Sequence, residues 1–199
     1  MMEQHGRLPW PAPAELDEER RAVYEKIVGG PRSFGLGTVR LTDPDGRLEG
    51  PFNAMLVNPA VGDALQGLGS AVRYRSLLTD RQREIAILTV ARQRRSNFEW
   101  YAHERVGLAA GLTRDEIVAL RASLAAPTFS SDEATVRTVT VRLLEDRDLA
   151  EDLYAEAVEQ LGVARLADLA VLTGYYDLLS TMLRMWRTPL PQGELAEFG

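Results

Sequence analysis

Thr79-Asp80-Arg81-Gln82-Arg83-Glu84-Ile85-Ala86-Ile87-Leu88-Thr89-Val90-Ala91-Arg92-Gln93-Arg94 is the stretch that sets the fold class. Thr79 followed three residues later by Gln82 has the spacing of a capping box, in which each side chain satisfies the other residue's backbone amide. Ile85, Ala86, Ile87, Leu88, Val90 and Ala91 then make a mostly apolar helix, with Arg81, Arg83 and Arg92 able to reach solvent. The same start signal recurs downstream. Ser96 and Glu99 precede a helix to Ala110, which Gly111 ends. Thr113 and Glu116 precede 117–123, and Ser130 and Glu133 precede 136–144. Two more helices follow, at about 149–161 and 164–186.

Upstream, Asn58-Pro59 pairs a cap with proline at the first helical position and opens a helix to about Arg75. Another helix spans 14–28 and is closed by Gly29-Gly30-Pro31. The segment 30–58 between them reads as a long irregular loop. It carries a short hairpin, with 39–41 returning as 47–48 around Asp43-Pro44-Asp45-Gly46. From Asn58 onward no strong strand alternation appears, so the fold class is all-α. The reading is of one domain over 1–199, with its core at 50–186 and mobile tails at 1–13 and 188–199.

Composition narrows the chemistry. The 199 residues include no cysteine, which excludes disulfides, thiolate nucleophiles, thiol redox cycles and Cys-ligated metals. With 23 basic and 29 acidic residues the net charge is −6, a balance that argues against nonspecific nucleic-acid binding. Met1 to Trp10 has no apolar run of signal-peptide length. The most apolar stretch, 166–186, is broken by Asp168, Asp177 and Arg184, and so reads as a core helix instead of a membrane span. The expectation is a cytoplasmic protein with neither membrane nor nucleic-acid partner. The apolar load of 166–186 around most of the helix also points to self-assembly.

Three side chains stand out as candidates for chemistry. Glu84 falls on the apolar side of its helix, where a carboxylate must find a partner or shift its pKa upward. Glu99 and His103 are four residues apart and share a helix face with Trp100, Val106 and Ala110. Imidazole is the natural proton shuttle near neutrality. Structural roles are equally open at this point: an arginine partner for Glu84, a capping box for Glu99, and a satisfied core position for His103. Acid and imidazole at i and i+4 can also share a metal ion, but the only other histidine is His5, in the N-terminal tail. No G-x-S-x-G elbow or glycine-rich phosphate loop is present.

The segments Gly50-Pro51-Phe52-Asn53-Ala54-Met55-Leu56, Arg83-Glu84-Ile85-Ala86-Ile87-Leu88, Glu99-Trp100-Tyr101-Ala102-His103-Glu104 and Ala109-Ala110-Gly111-Leu112-Thr113 together resemble the carboxymuconolactone decarboxylase family of the alkylhydroperoxidase D-like superfamily. The resemblance is close over about 50–120 and weaker to 186. It implies an all-α, alkylhydroperoxidase D-like helical bundle that assembles as a homo-oligomer, commonly a trimer or hexamer. The redox branch of the superfamily combines a Glu, a Cys-x-x-Cys pair and a His four residues on. The matching positions here are Glu84, Ser96, Glu99 and His103. A hydroxyl and a carboxylate cannot perform thiol–disulfide exchange, so thiol peroxidase activity is disfavoured.

The decarboxylase branch implies a cofactor-free acid–base enzyme acting on a small carboxylated unsaturated, lactone or carbonyl compound. Glu84, Glu99 and His103 are then catalytic, and the reaction is decarboxylation or a related proton transfer. Arg73 is a candidate for binding a substrate carboxylate, as are Arg75 and Arg95. Asn53, Ser96, Trp100 and Tyr101 are candidate substrate contacts, although aromatics such as these two are more often core than ligand contacts. The N-terminal helix and the 30–58 loop are additions to the minimal decarboxylase, so the substrate need not be the same. Two alternatives stand beside this reading. One is a non-catalytic small-molecule-binding or scaffold protein on the same fold. The other is a metal-dependent enzyme or binder using Glu84, Glu99 and His103.

Overall fold

The computed structural model describes residues 3–30 and 39–199, and eight α-helices occur among them. They are α1 (Glu18–Val28), α2 (Pro51–Met55), α3 (Pro59–Tyr74), α4 (Asp80–Arg94), α5 (Asn97–Ala109), α6 (Arg114–Arg121), α7 (Ser131–Glu145) and α8 (Glu151–Trp186). The all-α expectation holds. Several boundaries follow from local chemistry. The Asn58 side chain accepts from Val61 N at the start of α3. Thr79 and Gln82 form both halves of their capping box at α4, and Thr113 and Glu116 do so at α6. Gly162, at φ 74°, breaks α8 and separates the two helices expected at 149–161 and 164–186.

Helix α4 is the centre of the molecule. It packs against α5, α7 and α8, and α7 packs against α8. Ile85, Ala86, Ile87, Leu88, Val90 and Ala91 are all fully buried, so this helix is covered on every side. Its arginines are tied to neighbours at both ends, where the sequence suggested solvent. Arg81 forms ion pairs with Glu116 of α6 and Glu133 of α7. Arg92 Nε donates to Arg121 O, and Arg94 pairs with Asp177 of α8. Charge at the helix ends thus holds α4 in register while its apolar middle fills the core.

Three regions differ from expectation. The α1 helix begins at Glu18, capped by Asp17, because the preceding residues form a 3₁₀ turn at Pro13–Glu15. The segment 51–55 is helical, with Pro51 at its first position after Gly50 at φ 60°. Neither end of the chain is a loose tail among the described residues. Gln4–His5 and Leu8–Pro9 form an antiparallel ribbon, and Arg7 N donates to Trp186 O. At the other end Phe198 is buried, its ring edge-on to Trp100 at 5.5 Å, and it exchanges two hydrogen bonds with Asn97. An aromatic anchor and paired backbone bonds outweigh the entropy of a short free end.

The expected hairpin is reduced to one antiparallel bridge, Thr42 with Leu48, closed by the Asp43 carboxylate accepting from Asp45 N and Arg47 N. The 31–38 part of the loop lies outside the described residues. No helix among the described residues is long and apolar enough to cross a membrane.

Candidate active site

Glu84, on the buried central helix, is fully enclosed. Its carboxylate holds two partners. Oε2 lies 2.6 Å from His103 Nδ1, and Oε1 accepts from Arg73 Nη1 at 3.3 Å. Burial pushes the Glu84 carboxyl up, but the neighbouring His103 and Arg73 outweigh it and leave the group below its usual range. Burial likewise opposes the Arg73 charge, and Tyr176 and Glu84 outweigh it. Arg73 is the arginine partner that the helix position of Glu84 implies. The imidazole arrives as a second one, from the next helix.

His103 turns its other edge towards Glu99, with Nε2 3.5 Å from Glu99 Oε2. Glu99 is 3% exposed, and its Oε1 is buried without a hydrogen-bond partner. Burial pushes this carboxyl up to about 7, against the pull of His103 and Arg73. Helical geometry sets the Glu99–His103 spacing, one turn apart on α5. Glu99 does not form a capping box. Ser96 occupies the cap position but its side chain makes no cap hydrogen bond. The carboxylate is therefore free of the structural duty its sequence position suggested.

Glu84, His103 and Glu99 form a buried chain of successive contacts. His103 and Glu99 border a cavity of about 50 Å³, and Arg73 lines the same cavity. Most of the remaining wall is apolar, including Phe52, Phe98, Tyr175, Leu179 and the loop residues Val39 and Leu41. Tyr176 stands edge-on to the His103 ring at 5.1 Å and lies beside Arg73. Burial raises its phenol well above the ordinary range, so it stays a neutral hydroxyl.

The structure brings Glu84, Glu99, His103 and Arg73 together. The other four expected contacts lie elsewhere. Asn53 is buried and its Nδ2 donates to Pro9 O, which ties the N-terminal ribbon to α2. Trp100 points into the core against Phe198. Tyr101 packs on Phe98 and lies under the Arg105 guanidinium. Ser96 borders a different cavity, with Arg95. Helical phase explains the two aromatics: 99 and 103 share a face that 100 and 101 do not.

The sequence reading missed Phe98, Tyr175 and Tyr176 as wall residues. The available signal was the adjacent tyrosine pair, Tyr175-Tyr176, in the most apolar stretch of the chain, since a buried phenol needs a polar neighbour. His5 is also corrected. It is buried, its Nε2 accepts from Gly50 N at 3.2 Å, and its ring sits 4.7 Å from Trp10. Burial lowers its pKa to about 4. Among the described residues no group of three or more His, Asp or Glu side chains converges as metal ligands.

Residues 59–141 match the model of the carboxymuconolactone decarboxylase family. No curated protein matches the chain. Among solved structures, the chain is similar to the alkylhydroperoxidase D core of an uncharacterised peroxidase-related protein from Ralstonia eutropha. That match has a TM-score of 0.75 at 13% identity and covers 96% of this chain and 94% of the other. An uncharacterised peroxidase-related protein from Silicibacter superposes with a TM-score of 0.73 at 13% identity, over 99% of this chain and 97% of the other. A protein of unknown function from Agrobacterium tumefaciens gives 0.62 at 15% identity, over 70% and 96%. The matched segment contains Arg73, Glu84, Glu99 and His103, whereas Arg40 and Tyr176 of the same site lie outside it. The chain thus matches the carboxymuconolactone decarboxylase family model over residues 59–141 and has a helical fold similar to that of an alkylhydroperoxidase D core.

Proposed function

We propose that this protein is a cofactor-free proton-transfer enzyme, resembling carboxymuconolactone decarboxylase, that acts on a small carboxylated unsaturated, lactone or carbonyl compound. The observation that carries this reading is the buried line from Glu84 through His103 to Glu99, which ends at a mostly apolar cavity. Glu84, held ionised by its partners, accepts from His103 Nδ1 and orients the ring so that Nε2 faces Glu99. Glu99, pushed up to about 7, is a carboxyl that holds or releases a proton near neutral pH. Arg73 is a positioning residue, because it fixes Glu84 from the far side.

In the decarboxylation form of the reaction, the bond between the substrate's α-carbon and its carboxylate breaks. Carbon dioxide leaves, and the electron pair stays on the substrate as an enolate or dienolate. His103 or Glu99 delivers one proton to that carbon and regains it from solvent. An isomerisation uses the same groups, with removal and return of a proton at two carbons. The two solved relatives described as peroxidase-related bring no thiol chemistry to this chain, which contains no cysteine.

A homo-oligomer, trimer or hexamer, forms part of the proposal. Val163, Val171, Leu178 and Met185 are each roughly half exposed on the second part of α8, at spacings that place them along one stripe. Sedimentation showing only monomer at micromolar concentration counts against that part.

The test is turnover of carboxylated unsaturated lactones and β-keto acids in D₂O, followed by NMR. The expected result is one deuterium incorporated per product, abolished in His103→Ala. Turnover surviving that substitution within a few-fold overturns the proposal.

A further inference from the structure

A second cavity lies at the other end of α5 from Ala109. It is about 330 Å³ in volume and half open, where the start of α5 meets the end of α8. Three arginines line it: Arg95, Arg184 and Arg187. Among the described residues none of the three pairs with an Asp or Glu side chain, and no Asp or Glu side chain lines the cavity. Gly199 also lines the cavity and its oxygen takes one Arg95 N–H, so among the described residues it is Arg184 and Arg187 that stand without an acidic partner in a chain of net charge −6.

The first amides of a helix have no intrahelical partner and carry its positive dipole end. At α5, a helix of 13 residues, the cap side chain makes no hydrogen bond to them. Two serines of the wall provide a separate observation. Ser96 is 7% exposed and Ser180 is 4% exposed, and neither hydroxyl has a hydrogen-bond partner. A buried polar group without a partner costs free energy unless a ligand or water satisfies it. Arg95 and Arg187 both sit at helix C-caps in the left-handed region, with φ of 52° and 51°, a position usually given to glycine.

We propose that this cavity binds a phosphate group. Three guanidiniums supply more positive charge than a single carboxylate needs, whereas a phosphate monoester carries about −1.5 to −2 at pH 7 and offers three oxygens. Guanidinium forks, hydroxyls and helix amides are the donors that such a group takes. Arg95 already donates one N–H to the Gly199 oxygen at 2.8 Å, so Arg184 and Arg187 carry most of the free capacity. The cavity shares only Phe98 with the wall around His103, and this inference does not depend on the proton-transfer reading.

The source of the phosphate is either the free inorganic ion or a phosphate ester whose body lies against Phe98 and Leu183. The experiment is NMR titration of the intact protein with inorganic phosphate, methyl phosphate and phenyl phosphate. Acetate at matched ionic strength is the control, and the amides of 96–99 and 180 are the probes. Saturable binding of at least one phosphate compound is expected, weakened about tenfold or more in R184Q/R187Q, whose exposed positions leave the fold intact. Ser180→Ala should weaken it to a smaller degree. Tighter binding of phenyl phosphate than of inorganic phosphate identifies an ester, and the reverse order identifies the free ion. Shifts no larger than those from acetate overturn the proposal, as do shifts unchanged in the double variant.

Discussion

Glu84 receives His103 Nδ1 at 2.6 Å on one oxygen and the Arg73 guanidinium at 3.3 Å on the other, inside a fully buried pocket. One carboxylate therefore anchors both the imidazole and the cation, and the cost of burying it is met by two partners instead of one. Such an arrangement is sensitive to losing any single member.

Replacing Glu84 by Gln keeps the shape and removes the negative charge. Arg73, nine-tenths buried, then loses its counter-ion. Breaking a buried pair from one side costs ~3–5 kcal/mol, so urea unfolding should show a loss of about that size. The double variant R73M/E84Q, which removes both charges, should recover more than half of it. Equal instability of the single and double variants would mean that the pair is not coupled.

Glu99 gives stability a distinct pH dependence. Its folded pKa is about 7, raised from 4.5. Between those values the unfolded chain releases this proton while the folded chain keeps it. The contribution of Glu99 therefore weakens as pH rises through that window. Glu99→Gln removes the ionisation, so the stability of the variant relative to wild type should increase from pH about 5 to about 7. His5, lowered to about 4, acts with the opposite sign: its contribution is lost as pH falls from about 6.5 to about 4. Urea midpoints measured across this range separate the two.

Glycine is required where α2 and α3 approach each other. A Cβ at Gly62 would stand 1.8 Å from the Met55 carbonyl oxygen, and backbone cannot yield as a flexible side chain would. Gly62→Ala should cost ~1–3 kcal/mol in thermal or urea unfolding. At Gly50, with φ 60°, a Cβ would meet the Phe98 ring at 2.2 Å. Because Phe98 lines the cavity beside His103, Gly50→Ala should disturb the candidate site as well as stability.

The C-terminal segment is held by Phe198, which packs against Trp100 and lies under the Arg92 guanidinium at 5.7 Å. Phe198→Ala should lower stability by ~3 kcal/mol and expose the segment to proteolysis. A change within a few tenths of a kcal/mol would show that the segment contributes nothing to the core.

Much of this architecture was legible in the residues. The paired caps at Thr79 and Thr113 and the Asn58-Pro59 start are local signals, and α3, α4 and α6 begin where they say. The i, i+4 spacing of Glu99 and His103 likewise put both on one face. Long-range choices were not legible. Nothing in Trp100 or Tyr101 says whether an indole faces a cavity or a distant Phe198, since both surfaces are apolar. Asn53 is claimed by a carbonyl 44 positions away, Pro9, and His5 by the amide of Gly50. The C-terminus looked loose because Pro189 and Pro191 end the helical pattern, while the anchors of the two ends, Trp186 and Asn97, belong to distant helices.

The central claim is that Glu84, His103 and Glu99 together hold and pass a proton. Nitrogen-15 NMR of the His103 imidazole at neutral pH tests this most directly. The expected result is a proton on Nδ1, hydrogen-bonded to Glu84 and shifted strongly downfield, with that signal lost in Glu84→Gln. Also expected is an Nε2 resonance that changes with pH in step with Glu99 and no longer does so in Glu99→Gln. An Nδ1 without a proton, or an imidazole indifferent to both substitutions, would contradict it.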